Sequence, residues 1–243
     1  MYQTVFKRYE LKYMLTLAQK EKILSKMEQY MTPDKYGQTT IRNLYFDTDT
    51  YLLIRRSLEK PVFKEKLRLR SYARTCENDT VFAEIKRKYN GVVYKRRIAL
   101  REGEARSWLC ENGECPLDTQ ISREINYFLG QYGNLRPTVF LSYDRQAYYS
   151  NTDRSFRVTF DENILARERD LSLSSEVYGT PLLEDGMVLM EIKCAGGIPL
   201  WLTELLSELR IYKTSFSKYG VAYQKEIFPE KNIKNMEEVC FVT

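Results

Sequence analysis

Apolar and polar positions alternate through Thr4–Tyr13. That pattern predicts a strand, because successive strand side chains point to opposite faces. The period then changes: Ile23, Leu24, Met27 and Met31 share one face of a helix over Thr16–Met31, which Pro33 and Gly37 end. A short strand (Thr40–Phe46), a helix from Asp47 or Thr48 to Leu58, and strands over Val62–Tyr72 and Val81–Tyr89 follow. Asn90-Gly91 accepts the positive φ angles of a type I′ turn, so Val81–Leu100 reads as a hairpin with Val92–Leu100 as its second arm. Glu102–Cys110 and Leu117–Gln131 have helical patterns and packing roles. Strand signals return at Thr138–Tyr148, Phe156–Phe160 and Met187–Cys194. A last amphipathic helix starts at Pro199, with Leu202, Leu205, Leu206 and Leu209 as its apolar face. Roughly eight strands result, enough to close a small barrel. Neither a linker nor a repeat divides residues 1–243, so one domain is the simplest account, with Asn232–Thr243 as a loose tail.

Composition narrows the chemistry. The 243 residues are 43% hydrophobic and 29% charged, which suits a globular domain rather than a disordered chain. The total absence of histidine excludes Ser-His-Asp triads, Cys-His dyads and histidine-ligated metals. Five scattered cysteines, with no CxxC pair, fit a reduced compartment. The N-terminus lacks a signal peptide's apolar core, and no run approaches the roughly 20 apolar residues of a membrane helix. A cytoplasmic chain is expected, with no membrane insertion of its own and any tether supplied by a membrane-protein partner. The excess of 38 Lys+Arg over 33 Asp+Glu is too small to diagnose nucleic-acid binding, and no aromatic-basic RNA motif is present. Placement of the charges carries the argument instead.

Glu-x-Lys on a strand puts a carboxylate and an ammonium on one face. It occurs three times, as Glu10-Leu-Lys12, Glu84-Ile-Lys86 and Glu191-Ile-Lys193. Lys66, Arg68 and Arg70 line one side of a strand whose other side carries Leu67 and Leu69. Lys95 and Arg97 repeat the pattern beyond the hairpin, and Arg145 and Arg157 extend it to later strands. An ordinary solvated sheet face explains any single pair, worth about 0.2–1 kcal/mol. The whole set is harder to accommodate, because crowded cations repel unless an anion neutralises them. A surplus of bases points to a multiply charged anion, and guanidinium matches phosphate oxygens in bidentate fashion.

At these residues the sequence resembles the VTC domain, the polyphosphate-polymerase module of the vacuolar transporter chaperone complex, within the triphosphate tunnel metalloenzyme (CYTH-like) superfamily. The resemblance rests on Phe6-Lys-Arg-Tyr-Glu-Leu-Lys-Tyr, Leu44-Tyr-Phe-Asp-Thr-Asp, Lys66-Leu-Arg-Leu-Arg-Ser-Tyr, Glu84-Ile-Lys-Arg-Lys, Glu191-Ile-Lys and Ser215-Phe-Ser-Lys-Tyr-Gly. It implies an α+β fold: an antiparallel eight-stranded β-barrel tunnel with a polar interior and helices packed outside. It further implies that Lys12, Arg68, Arg70, Lys86, Arg145, Arg157 and Lys218 grip phosphate. Lys66, Lys95, Arg97 and Lys193 join them on the basic strands. Mn²⁺ or Mg²⁺ is the implied cofactor, with Glu191 its leading ligand and Glu10 and Glu84 as secondary ligands or lysine-orienting groups.

The expected activity is transfer of the γ-phosphoryl group of ATP to a growing polyphosphate chain, with Arg68, Arg70, Lys86, Arg157 and Glu191 as the catalytic set. In the superfamily's hydrolases the first strand commonly reads Glu-x-Glu-x-Lys, whereas Arg8 stands two before Glu10 here. One fewer carboxylate favours polymerase over triphosphatase. Triphosphate hydrolysis, and a catalytically silent polyphosphate-binding module, are the alternatives. Asp47 is expected to border the tunnel or cap the next helix, and Trp201 to serve the core rather than stack on a nucleotide.

Overall fold

The computed structural model describes residues 5–229, with side chains from residue 9 onward. The expected tail at 232–243 therefore lies outside the described residues. The chain runs through β1 (Val5–Thr16), α1 (Leu17–Met27), β2 (Met31–Pro33), β3 (Thr39–Asp47), α2 (Leu52–Leu58), β4 (Phe63–Ser71), β5 (Thr80–Tyr89) and β6 (Val92–Arg101). After these come α3 (Glu102–Cys110), α4 (Gln120–Tyr132), β7 (Arg136–Ser150), β8 (Arg157–Arg167), β9 (Thr180–Pro181), β10 (Met187–Cys194), α5 (Leu200–Glu208), α6 (Lys218–Ala222) and a π-helical turn (Tyr223–Ile227).

Local chemistry accounts for the boundaries. Thr16 caps α1, its hydroxyl accepting from the Gln19 amide while the Gln19 side chain accepts from Thr16 N–H. The helix stops at Met27 rather than Met31, because Met31–Pro33 pairs with β7 as a short strand. Asn90 and Gly91 take φ of 44° and 83°, as a type I′ turn requires, and β5 and β6 pair along their full length. A Cβ on Gly91 would meet nothing within 4 Å, so the cost of Gly91→Ala is purely conformational. Denaturant unfolding should register a loss of about 1 kcal/mol for this variant, and no loss would mean the turn relaxes.

The strands form one antiparallel sheet in the order β2-β7-β3-β4-β5-β6-β1-β10-β8-β9. Near the two ends of that order, β7 also pairs with β8, from Phe140↔Arg167 to Tyr149↔Arg157. Among the described residues the sheet therefore holds ten strands where eight were expected, the additions being the two shortest, β2 and β9. Strand β8 also runs on to Arg167, well past the predicted Phe160, because it pairs with both β10 and β7. On one face side chains reach across an intervening strand: Lys86 of β5 meets Glu10 of β1 over β6, and Arg70 of β4 meets Tyr143 of β7 over β3. Such contacts mark the concave face of a curled sheet.

The convex face is apolar. Leu67, Leu69, Ile85 and Ile98 pack beneath α3 and α4 with Trp108 and Phe128, while Val158, Phe160, Met190 and Ile192 pack beneath α1 and α5 with Ile23 and Leu202. Trp201 stacks on Tyr30 with ring centroids 4.6 Å apart and belongs to that second core. Not every helix packs outside, however. α2 and α6 join a third core with Tyr45, Val139, Leu141, Tyr143 and Leu189, which share the concave face. Asp47 fastens this end. Its carboxylate accepts from the amides of Leu53 and Ile54 in α2 and from the Tyr219 hydroxyl of α6, so it is the helix cap rather than a tunnel-border group.

Candidate functional site

Alternation along the strands sends charged residues to the concave side: Arg68, Glu84, Asp161 and Glu191 each have an apolar neighbour buried on the convex side. Two carboxylate-centred clusters organise them. Glu191, on β10, is surrounded by four cations: Lys218 Nζ at 3.0 Å and Lys12 Nζ at 3.3 Å from Oε1, Arg145 at 3.2 Å and Lys193 Nζ at 3.7 Å from Oε2. Asp161, on β8, binds Arg145 through two 2.6 Å hydrogen bonds and Lys218 at 2.5 Å. Burial disfavours ionisation of Glu191, but Lys218, Lys12, Arg145 and Lys193 outweigh it and hold the carboxyl well below the usual range.

The second cluster surrounds Glu84, which is fully buried on β5. Arg68 Nη2 and Lys95 Nζ lie 2.7 and 2.6 Å from its oxygens, and Arg70 Nε lies at 3.9 Å. Arg70 is also held by Asn43 and Tyr143, and Arg68 by the Tyr45 hydroxyl. Against burial, Lys95, Arg68 and Arg70 keep Glu84 ionised far below the ordinary value. Lys86 pairs with Glu10 at 2.6 Å, linking β5 to β1.

Lys66 makes no ion pair among the described residues and donates instead to the Ser217 hydroxyl at 3.1 Å. Burial, then the neighbouring Lys86, Lys12 and Lys64, lower its pKa to about 7. Lys95 is also lowered to about 7, because burial outweighs Glu84. In both cases the face is short of negative charge.

Arg97 and Arg157 lie on the same face but outside both clusters. Arg97 sits over the Phe82 ring at 4.7 Å, and Arg157 sits over Tyr149 at 4.7 Å with Asp34 3.5 Å away. Asp161 was not legible as a site residue, although the same alternation that flags Arg157 reaches it through Thr159. Tyr143 was likewise missed; Arg145 and Lys218 lie 5.0 and 4.6 Å from its ring centre.

Among the described residues no three Asp, Glu or Cys side chains converge as a metal cage. Glu10 and Glu84 are committed to Lys86 and to Arg68 with Lys95, which makes them cation-orienting groups here. Mg²⁺ asks for only one or two carboxylates when phosphate oxygens and water fill its other positions. By the same measure Glu191 is committed to four cations and Asp161 to two, so either carboxylate would reach such an ion only where a phosphate chain draws those cations onto its own oxygens.

Residues 7–227 match the profile of the VTC domain. The chain is 27% identical to the vacuolar transporter chaperone complex subunit 4 of Trypanosoma cruzi (strain CL Brener), over 74% of this chain and 27% of that one, so it spans about a quarter of that relative. A solved Bacillus halodurans protein, described as a candidate adenylate cyclase, superposes with a TM-score of 0.57 at 14% identity, covering 93% of this chain and 100% of that one. This second likeness concerns the fold alone.

Proposed function

The chain belongs to the VTC domain family, and on that premise we propose that its curled sheet is a tunnel in which the γ-phosphoryl group of ATP passes to the end of a polyphosphate chain. The observation that carries this reading is the surplus of buried cations around Glu191, Asp161 and Glu84. Phosphoryl transfer needs in-line positioning and neutralisation of spreading negative charge more than covalent help. Arg68, Arg70, Arg145 and Lys218 are already fixed by carboxylates and hydroxyls, so little reorganisation accompanies the reaction.

Lys12, Lys66, Lys86, Lys95 and Lys193 supply further contacts along the chain, and Arg97 and Arg157 take its more distant phosphates. The attacking phosphate oxygen is anionic near neutral pH, so no histidine base is required. Mn²⁺ or Mg²⁺, when bound with the triphosphate on Glu191, would supply further neutralisation of the phosphate oxygens. The partners in this reading are ATP and polyphosphate, with a membrane protein as the route for any translocation. Among the described residues no helix is long and apolar enough to cross a membrane.

Incubation with ATP and Mn²⁺ followed by separation of products by chain length tests the proposal. Chains longer than the starting triphosphate support it; orthophosphate as the sole product assigns the same face to hydrolysis. Tight binding without turnover would leave a binding module.

Two further results are expected. Arg68→Ala should weaken triphosphate binding by about 1–3 kcal/mol, the worth of a charge-assisted contact. Normal affinity in that variant would remove Arg68 from the phosphate path. Triphosphate affinity should also fall as pH rises from about 7 toward 9, because an anion draws Lys66 and Lys95 back to the charged form. Binding above pH 7 then takes up protons, which titration calorimetry in buffers of different ionisation enthalpy detects. For the free protein the sign is opposite: unfolded lysines bind more protons over this window, so these two groups raise stability as pH increases.

A further inference from the structure

Arg42 projects from β3 to the convex side, since its neighbour Asn43 reaches Arg70 on the concave one. It is 9% exposed, and its Nε is sealed from solvent without an acceptor. Among the described residues its guanidinium makes no hydrogen bond, ion pair or ring contact. Sealing a guanidinium N–H from water without an acceptor is costly unless something pairs with it. The same surface shows how the fold satisfies an arginine when it does so internally: Arg167 donates to the carbonyls of Arg169, Tyr178 and Asp170 and lies 3.7 Å from the Phe140 ring centre.

The surroundings of Arg42 lack hydrogen-bond partners too. Its cross-strand partner on β7 is Ser142, fully buried, with a hydroxyl that bonds to nothing. On its other side β4 ends at Ser71, and the segment beyond carries Thr75, buried with an unpaired hydroxyl. Arg74, in that segment, lies close enough to repel Arg42. Asp144 and Glu176 attract Arg42 from a distance but are committed elsewhere, Asp144 to Thr40 and Asn163, Glu176 to Arg74. Arg42 and its cross-strand neighbour Ser142, with Arg74 nearby and Thr75 next to it in sequence, offer donors that lack an acceptor.

We propose that Arg42, Ser142 and Thr75 form a second oxyanion site, on the outer surface of β3 and β7, which takes a single phosphate group. Guanidinium and hydroxyl donors suit a tetrahedral oxyanion, and so small a donor set matches one phosphate group rather than a chain. The site faces away from the tunnel and does not depend on the reaction proposed for it.

Calorimetric titration of the full chain with inorganic phosphate tests it, in the wild type and in an Arg68→Ala background that weakens the tunnel. In the Arg68→Ala background Arg42→Gln should reduce phosphate affinity at least tenfold and Ser142→Ala severalfold, while in the wild type Arg42→Gln should remove one of two binding components. Retained binding in the Arg68→Ala chain that Arg42→Gln leaves unchanged would overturn the outer site while sparing the tunnel. Loss of all phosphate binding with Arg68→Ala alone would do the same. In phosphate-free buffer, Arg42→Gln should unfold at the same temperature as wild type or higher, because it deletes an unneutralised buried charge. A lower temperature would show that the guanidinium is already satisfied and would also contradict the proposal. If Arg42→Gln fails to fold, Ser142→Ala decides alone: unchanged phosphate affinity in the Arg68→Ala background rejects the site. Tripolyphosphate, titrated in parallel, should respond to Arg68→Ala far more than to Arg42→Gln; the reverse would move the outer site to the chain rather than to a single phosphate.

Discussion

Glu84→Gln should lower the free energy of unfolding by about 3–5 kcal/mol, the usual consequence of removing one partner from a buried ionic cluster. Glu84 is fully buried, and its carboxylate lies 2.7 and 2.6 Å from Arg68 and Lys95 and 3.9 Å from Arg70. The amide has nearly the same volume, so the loss is electrostatic rather than a packing defect. Urea unfolding with and without tripolyphosphate separates this account from a merely structural role. If the stranded cations face the phosphate path, a saturating anion restores much of the lost stability, since ligand bound only by the folded state stabilises by RT ln(1 + [L]/Kd). A loss that tripolyphosphate leaves untouched would place the cluster outside the path. Acid should act in the same direction as the substitution. The depressed pKa of Glu84 gives stability that is full above the unfolded carboxyl value and is lost as pH falls through the folded one.

Glu191→Gln should reduce turnover by about 100-fold or more while leaving the fold in place, a loss comparable to removing one preorganised electrostatic group. Glu191 fixes Lys12, Arg145, Lys193 and Lys218 from four different elements. Asp161 still holds Arg145 and Lys218 in the variant, so the damage to stability is smaller than at Glu84. As the carboxylate that fits a phosphate-borne ion, Glu191 should also set the dependence of rate on Mn²⁺ or Mg²⁺. An unchanged metal response in the variant, with circular dichroism matching wild type, would remove it from that role.

Much of this arrangement is legible in the sequence because strand alternation is a strict two-residue period. Leu67 and Leu69 buried beneath α3 and α4 oblige Lys66, Arg68 and Arg70 to share the other side. The Asn90-Gly91 turn fixed the β5–β6 register for a similarly local reason. What the pattern could not reveal depends on contacts distant in sequence. β2 and β9 have three and two residues, too few to show a period, and exist only because β7 and β8 offer them an edge. Asp161 stands out only once Lys218, 57 positions later, and Arg145 are seen to converge on it. Lys218 itself reaches the site because α6 seats against the concave face, with Tyr219 stacked on Tyr45 at 4.7 Å. Arg42 was invisible for the opposite reason, since what distinguishes it is a missing partner.

The claim on which the account rests is that the concave face receives phosphate, and a crystal structure of this chain soaked with tripolyphosphate and Mn²⁺ tests it most directly. Phosphate oxygens should lie within hydrogen-bonding distance of Arg68, Arg70, Arg145 and Lys218, with Lys66 turned from Ser217 toward the chain. Tripolyphosphate bound only to the convex surface, with the Glu191 and Glu84 clusters undisturbed and no anion between them, would contradict it.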